Sequence, residues 1–341
     1  MITFKPKVVT KKLLSVLPER ARDVLKKRYG LGTTPETFTL ESIGQTYGIT
    51  RERVRQIENY GIQSIQKSEA YAECQEVFAE LQTALHTLGG VISEHELLSE
   101  LAEDPSLRNH IYFLLVVGDP FKRIKEDTSF THRWSVEKKI SDVVEKALKS
   151  IFESLNEDDL ISEDEILARL KTELGEIEEK YRDEKILRRW LSISKQIDRN
   201  PLGEWGHATS PNVRAKGIRD YAYLAVKRHG SPMHFKEVAD SIKNLFKKNA
   251  HIATTHNELI KDKRFVLVGR GLYALSEWGY SAGVVKDVLQ DILKTHGPLT
   301  REEIIDKVRK ERYVKDNTII VNLQDSALFK KLPDGNFILV E

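Results

Sequence analysis

The feature that most constrains this chain is a pattern that returns four times at intervals the size of a small domain. The segments Val91-Ile-Ser-Glu-His-Glu-Leu-Leu-Ser-Glu-Leu101, Leu160-Ile-Ser-Glu-Asp-Glu-Ile-Leu-Ala-Arg-Leu170 and Pro298-Leu-Thr-Arg-Glu-Glu-Ile-Ile-Asp-Lys-Val308 share it, and Pro232-Met-His-Phe-Lys-Glu-Val-Ala-Asp-Ser-Ile242 follows it more loosely. Their common glutamates, Glu96, Glu165, Glu237 and Glu303, lie 69, 72 and 66 residues apart. That spacing is too long for a solenoid repeat and suits a tandem array of small domains, each with its own core. A length of 341 residues fits several such modules as well as two larger domains.

Within the pattern Ser93, Ser162 and Thr300 precede a glutamate by three residues, the spacing of a capping box, so each marks a helix start. His234 stands where the third unit needs the hydroxyl, which predicts a weaker or different cap there. Upstream lie amphipathic stretches at Val77–Leu88, Val143–Leu155, Tyr221–Val226 and Val284–Leu293, each closed by Gly or Asn. Downstream comes a third apolar-periodic segment and then β-rich residues around a tight turn, as at 264–275 and 329–339. Three helices followed by a hairpin make a winged helix. Trp134, Trp205 and Trp278 end the first three units at matching places and are expected to close their cores. The expected fold is mainly α: a helix-turn-helix module at 1–70, then four winged helices at 71–136, 137–213, 214–280 and 281–341.

Composition matters once the chain is divided. The net charge of +2 conceals +6 over residues 1–70, −5 over 71–140, −6 over 141–189 and +7 over 214–280. Two basic modules flank an acidic middle, and clustered positive charge is the electrostatic footprint of a polyanion binder. Lys243, Lys247, Lys248, Lys261, Lys263, Arg264 and Arg270 crowd the second basic module; Lys247, Lys248, Arg264 and Arg270 are the candidates there for DNA phosphate contact. The longest apolar run, Ile111–Val117, is core-sized and far short of a membrane span. A single cysteine, Cys74, and no signal-peptide series predict a reducing, cytoplasmic location.

The first basic module carries the most specific pattern. Thr39-Leu-Glu-Ser-Ile-Gly-Gln-Thr-Tyr-Gly-Ile-Thr-Arg-Glu-Arg-Val-Arg-Gln-Ile-Glu58 reads as a helix lined by Leu40, Ile43 and Tyr47, a turn at Gly48, and a second helix capped by Thr50 with Val54 and Ile57 inward. Arg51, Glu52, Arg55 and Gln56 then project from its opening turns. Arg can bond guanine bidentately, Gln favours adenine and Glu accepts from the cytosine amino group, so these four are the candidate base readers; Thr50 and Arg53 are the candidates for the backbone.

This stretch closely resembles region four of the sigma-70 family of transcription initiation factors, and Leu17-Pro-Glu-Arg-Ala-Arg-Asp-Val-Leu-Lys-Lys-Arg-Tyr-Gly-Leu31 is similar to the family's preceding segment. The resemblance covers about residues 15–66. It implies recognition of the −35 promoter element through Arg51, Glu52, Arg55 and Gln56, and contact with the β flap of RNA polymerase. Regions two and three have no counterpart, and the family's basic tail is replaced by Ile62-Gln-Ser-Ile-Gln-Lys67. Residues 217–278 resemble the HARE-type winged helix of polymerase δ subunits, restriction systems and chromatin factors, which implies association with nucleic acid or polymerase.

Other signals point to no chemistry. Gly269-Arg-Gly271 is too short for a phosphate loop and reads as a wing turn; the ten histidines include no His-Glu-x-x-His; residues 156–165 lack the alternating ligands and central Gly of a calcium loop. No nucleophile or carboxylate pair can be argued from spacing, so neither enzyme activity nor a cofactor, metal or small-molecule substrate is expected. The expected function is a sequence-specific transcription factor that binds duplex promoter DNA and core polymerase, away from membranes. The rival is a polymerase-associated scaffold with little DNA specificity, and a third reading is a specificity or control component of a restriction system.

Overall fold

A computed structural model describes residues 2–280 and 284–340 and is mainly helical, with short antiparallel sheets. Two compact units are present: one runs to Asp198 and includes Trp205–Thr209, the other holds Arg199–Glu204 and the chain from Ser210 onward.

The first unit opens with α1 (Pro6–Ser15), α2 (Glu19–Tyr29), α3 (Leu40–Tyr47) and α4 (Arg51–Gln66), then a single turn, α5 (Glu69–Ala72). Next come α6 (Gln75–Thr87), β1 (Val91–Ser93), α7 (Glu94–Leu101), α8 (Pro105–Val117), β2 (Lys122–Ile124) and β3 (Arg133–Ser135). One core joins these two groups: Leu13, Leu14, Leu17, Ala21 and Leu25 from α1 to α2 pack with Phe78, Leu81, Ile111, Phe113, Leu114 and Trp134. Tyr29 adds an edge-on contact with Phe113, ring centroids 5.3 Å apart. At the end of α2, Asn109 of α8 donates to the carbonyls of Gly30 and Pro35 at 3.2 and 2.9 Å. The helix-turn-helix region therefore buries its apolar face against α6 and α8.

The same unit continues with α9 (Lys138–Ser154), α10 (Glu163–Leu174), α11 (Glu184–Leu191), β4 (Ile197–Arg199) and β5 (Trp205–His207), around a core of Val144, Leu148, Ile166, Leu170, Trp190 and Trp205. Trp190 is fully buried and donates its indole N–H to the carbonyls of Gly89 and Val91.

The second unit holds α12 (Ile218–His229), β6 (Met233–His234), α13 (Phe235–Phe246), α14 (Ile252–Lys261), β7 (Phe265–Gly269) and β8 (Leu272–Leu275), then α15 (Val285–His296), α16 (Arg301–Glu311), α17 (Asp316–Leu323), β9 (Phe329–Lys331) and β10 (Phe337–Leu339). Tyr313 extends the β7 edge, its N–H donating to the Val268 carbonyl at 2.8 Å.

The repeat reappears as a common geometry. Ser93, Ser162 and Thr300 each accept from the N–H of the glutamate three residues on. The reciprocal half closes at Thr300, whose N–H donates to Glu303 at 2.8 Å. In the first two repeats the carboxylate is drawn elsewhere: Glu96 pairs with Arg189 and accepts from Ser192, and Glu165 pairs with Arg169. At His234 a different cap forms, in which Nδ1 accepts from the Lys236 N–H while Glu237 accepts from the His234 N–H at 3.0 Å.

In every repeat of the pattern the residue before the cap pairs with an aromatic of the returning hairpin strand: Ile92 with Trp134, Ile161 with Trp205, Met233 with Tyr273, and Leu299 with Phe337. Trp278 is thus not the counterpart of Trp134 and Trp205. Tyr273 fills that place, and Trp278 sits beyond the strand in a short turn, half-buried against Val266, Val268 and Ala274.

Candidate nucleic-acid interface

The local sequence explains the shape of the α3–α4 hairpin. Thr39 and Thr50 cap the two helices, their hydroxyls accepting from Ser42 N at 3.1 Å and Arg53 N at 3.2 Å. Gly48 ends α3 in the left-handed region, φ 64°, where a side chain is strained. Gly44 serves a different need: a Cβ there would lie 2.6 Å from the Ile49 carbonyl oxygen, so the turn folds back over a helical glycine. Val24, Ile43 and Val54 form a small core, flanked by Leu40, Tyr47, Ile49 and Ile57.

With Val54 buried, Arg51, Glu52, Arg53, Arg55 and Gln56 are all exposed. Arg51 has no hydrogen-bond or ion-pair partner among the described residues. Arg55 grips Glu52 with two bonds, Nε–Oε2 2.9 Å and Nη2–Oε1 2.7 Å, and Arg53 Nη1 donates to Gln56 Oε1 at 2.9 Å. The Arg55 hydrogen bonds hold Glu52 below the usual carboxylate range, so it stands ionised beside Arg55. Such exposed pairs exchange readily for other partners. The hydroxyl of Thr50, a candidate phosphate contact, is engaged as the helix cap.

Sequence reasoning assigned no role to Glu58. It accepts from Tyr29 Oη at 2.8 Å and lies 3.5 Å from Arg28 Nε, clasping α4 to α2. Its signal was its place four residues after Val54, on the inward stripe of the helix. Burial, then the neighbouring Glu58, pushes the Tyr29 hydroxyl well up, so Tyr29 stays a donor. Beside α3, Tyr47 donates to Asp23 while Lys27 and Arg20 lie over its ring. Burial alone would raise Asp23, but bonds from Lys27 and Tyr47 outweigh it and hold the carboxyl low.

In the second unit Lys247, Lys248 and Arg270 are exposed. Lys247 closes α13 with φ 56°, a left-handed conformation, and Lys248 lies over the Tyr221 ring. Arg270 stands at the turn between β7 and β8. Arg264 is taken up internally: it bonds Asp262 at 2.6 Å, Asp220 at 2.9 Å and Asn212 at 2.9 Å, and packs over the Tyr223 ring. Burial weighs against its charge, yet the two carboxylates outweigh this and raise its pKa, so Arg264 is fixed in an internal ion pair.

Residues 13–67 match the Sigma-70, region 4 family. The chain is 56% identical over 46 residues to RNA polymerase sigma factor SigA1 of Synechococcus elongatus, 55% over 47 to SigA of Nostoc sp., and 50% over 46 to SigA of Bacillus sp.. Each match covers 14% of this chain and 11–12% of the relative. No described helix is long and apolar enough to cross a membrane. Residues 13–67 are therefore a sigma-70 region 4 helix-turn-helix, a DNA-binding module of transcription, carried on a chain most of which lies outside the match.

Proposed function

We propose that the chain is a sequence-specific transcription factor: a region 4 helix-turn-helix followed by four winged helices, binding −35-like promoter DNA and the β flap of RNA polymerase without being a complete sigma factor. The observation that carries this reading is the opening of α4, where Arg51, Glu52, Arg55 and Gln56 stand exposed on a helix fixed by buried Val54 and capped by Thr50. Those side chains offer donors and an acceptor suited to base edges in a major groove. Arg53 on that helix, and Lys247, Lys248 and Arg270 in the second unit, are the proposed backbone contacts, with Thr50 contributing through its cap. The repeated helices and hairpins, each with its pre-cap residue paired to an aromatic, support four winged helices of one design. The proposed location is the bacterial cytoplasm, at the nucleoid.

A second reading, a polymerase-associated scaffold, is favoured by α14. That helix exposes Ile252 and Ile260, 46% and 62% accessible, where a phosphate-facing helix would carry cations. A gel shift separates the two, using −35-bearing and scrambled duplexes with and without core polymerase. Preference for the −35 duplex by the chain alone supports the transcription-factor reading. Retention only when polymerase is present supports the scaffold.

A further inference from the structure

A cavity of about 410 Å³ opens between α1, α2, the 31–33 loop and α8. Its lining includes Lys7, Lys11, Arg22 and Lys26, and no carboxylate among its described residues. Lys7, Lys11 and Lys26 are exposed and form no close ion pair among the described residues, Lys26 acting on the Asp23 carboxylate only at longer range. Arg22 spends its Nε and Nη2 donors on the carbonyls of Leu14 and Leu17, ending α1.

The inner wall is unusual. Thr10 and His110 line it at 1% and 6% exposure, and both Thr10 Oγ1 and His110 Nδ1 lack any hydrogen-bond partner. A buried polar atom left unpaired is unfavourable, and here two occur in the lining of one cavity that also holds four cationic side chains. Burial, then the Lys7 charge, holds His110 below the ordinary histidine value against the opposing pull of the Asp104 carboxylate. Leu14 and Leu31, both buried, complete the wall with apolar surface. The volume lies at the small end of ligand pockets, which span roughly 300–1,000 Å³.

We propose that this cavity binds a small phosphomonoester, its phosphate held by Thr10 Oγ1, His110 and the Lys7, Lys11 and Lys26 ammoniums, its carbon portion against Leu14 and Leu31. A phosphate supplies acceptor oxygens for both orphaned groups and charge for the lysines, which water supplies only in part. None of its lining residues belongs to the opening turn of α4.

The test titrates the full chain with ribose 5-phosphate, ribose and inorganic phosphate by calorimetry, following the His110 ring resonances by NMR. Ribose 5-phosphate is expected to bind more tightly than either fragment and to shift those resonances. Thr10→Val removes only the unpaired hydroxyl, so thermal stability should hold or rise while affinity falls about tenfold, the worth of one charge-assisted bond. Lys7→Gln with Lys11→Gln should weaken ribose 5-phosphate further and leave ribose unaffected. A nonspecific duplex, added as competitor, distinguishes a free phosphate from one on a DNA backbone. The proposal is overturned if the parent chain fails to bind ribose 5-phosphate at millimolar concentration, if Thr10→Val binds it equally well, or if only the duplex shifts His110.

Discussion

At the scale of single residues, Val54 decides which side chains of α4 reach solvent. Burying it turns Arg51, Glu52, Arg55 and Gln56 outward together, which is why the candidate reading set was legible from spacing alone. Replacing Arg51 or Gln56 by Ala should weaken the preferred duplex by about 1–3 kcal/mol and relax its preference while the fold survives, as measured by anisotropy against matched and scrambled duplexes. Thr50→Ala acts differently. It removes a cap and should lower stability by about 1 kcal/mol in denaturant unfolding. The internal engagement of Arg264 was not legible in the sequence because one of its carboxylates, Asp220, is brought to it from 44 residues away by folding, beside Asp262. Burial works against the Asp262 charge, but the Arg264 bonds prevail and hold it below its ordinary value of 3.8. A depressed folded pKa means that this pair stabilises fully at neutral pH and is lost as the pH falls through that lowered value. Asp262→Asn should flatten that part of the acid limb of a stability-versus-pH curve.

At the scale of elements, the helix starts were legible because a cap is a local device: hydroxyl, three residues, carboxylate. The short strands ahead of the caps were not. Val91–Ser93 and Met233–His234 exist only through pairing with strands about 40 residues later, which no local propensity records. The end of α13 shows a related tension. Lys247 occupies a left-handed position that a glycine would fill without strain, so Lys247→Gly should raise the melting temperature, by an amount equivalent to about 1 kcal/mol. If the lysine is kept for phosphate contact, the same variant should flatten the slope of log K against log salt by about 0.9. Charge reversal of Lys247, Lys248 and Arg270 together should flatten it by roughly two to three, with sequence preference unchanged.

At the scale of the whole molecule, the sigma-like region does not close its own core. Leu13, Leu14, Leu17 and Leu25 are buried by Phe78, Ile111, Phe113 and Leu114, all outside the matched segment. That seam was invisible in the sequence because the periodicity of α1 and α8 shows that each has an apolar face, and says nothing of which faces meet. Phe113→Ala should therefore reduce stability by about 3–5 kcal/mol and weaken duplex binding at temperatures where the variant begins to melt, although residue 113 lies outside the DNA-binding match. A fragment ending at residue 70 should lack the cooperative unfolding transition of the full chain.

The seam also governs which parts of this chain can be exchanged with a sigma factor. Outward residues are transferable: grafting another protein's side chains at 51, 52, 55 and 56 leaves every buried contact of α4 in place and should carry that protein's operator preference with it. Grafting the whole of 13–67 would replace the leucines that face α8 with residues shaped for a different neighbour. The boundary of homology and the boundary of folding are separate lines in this molecule, and a swap drawn along the first cuts through the core.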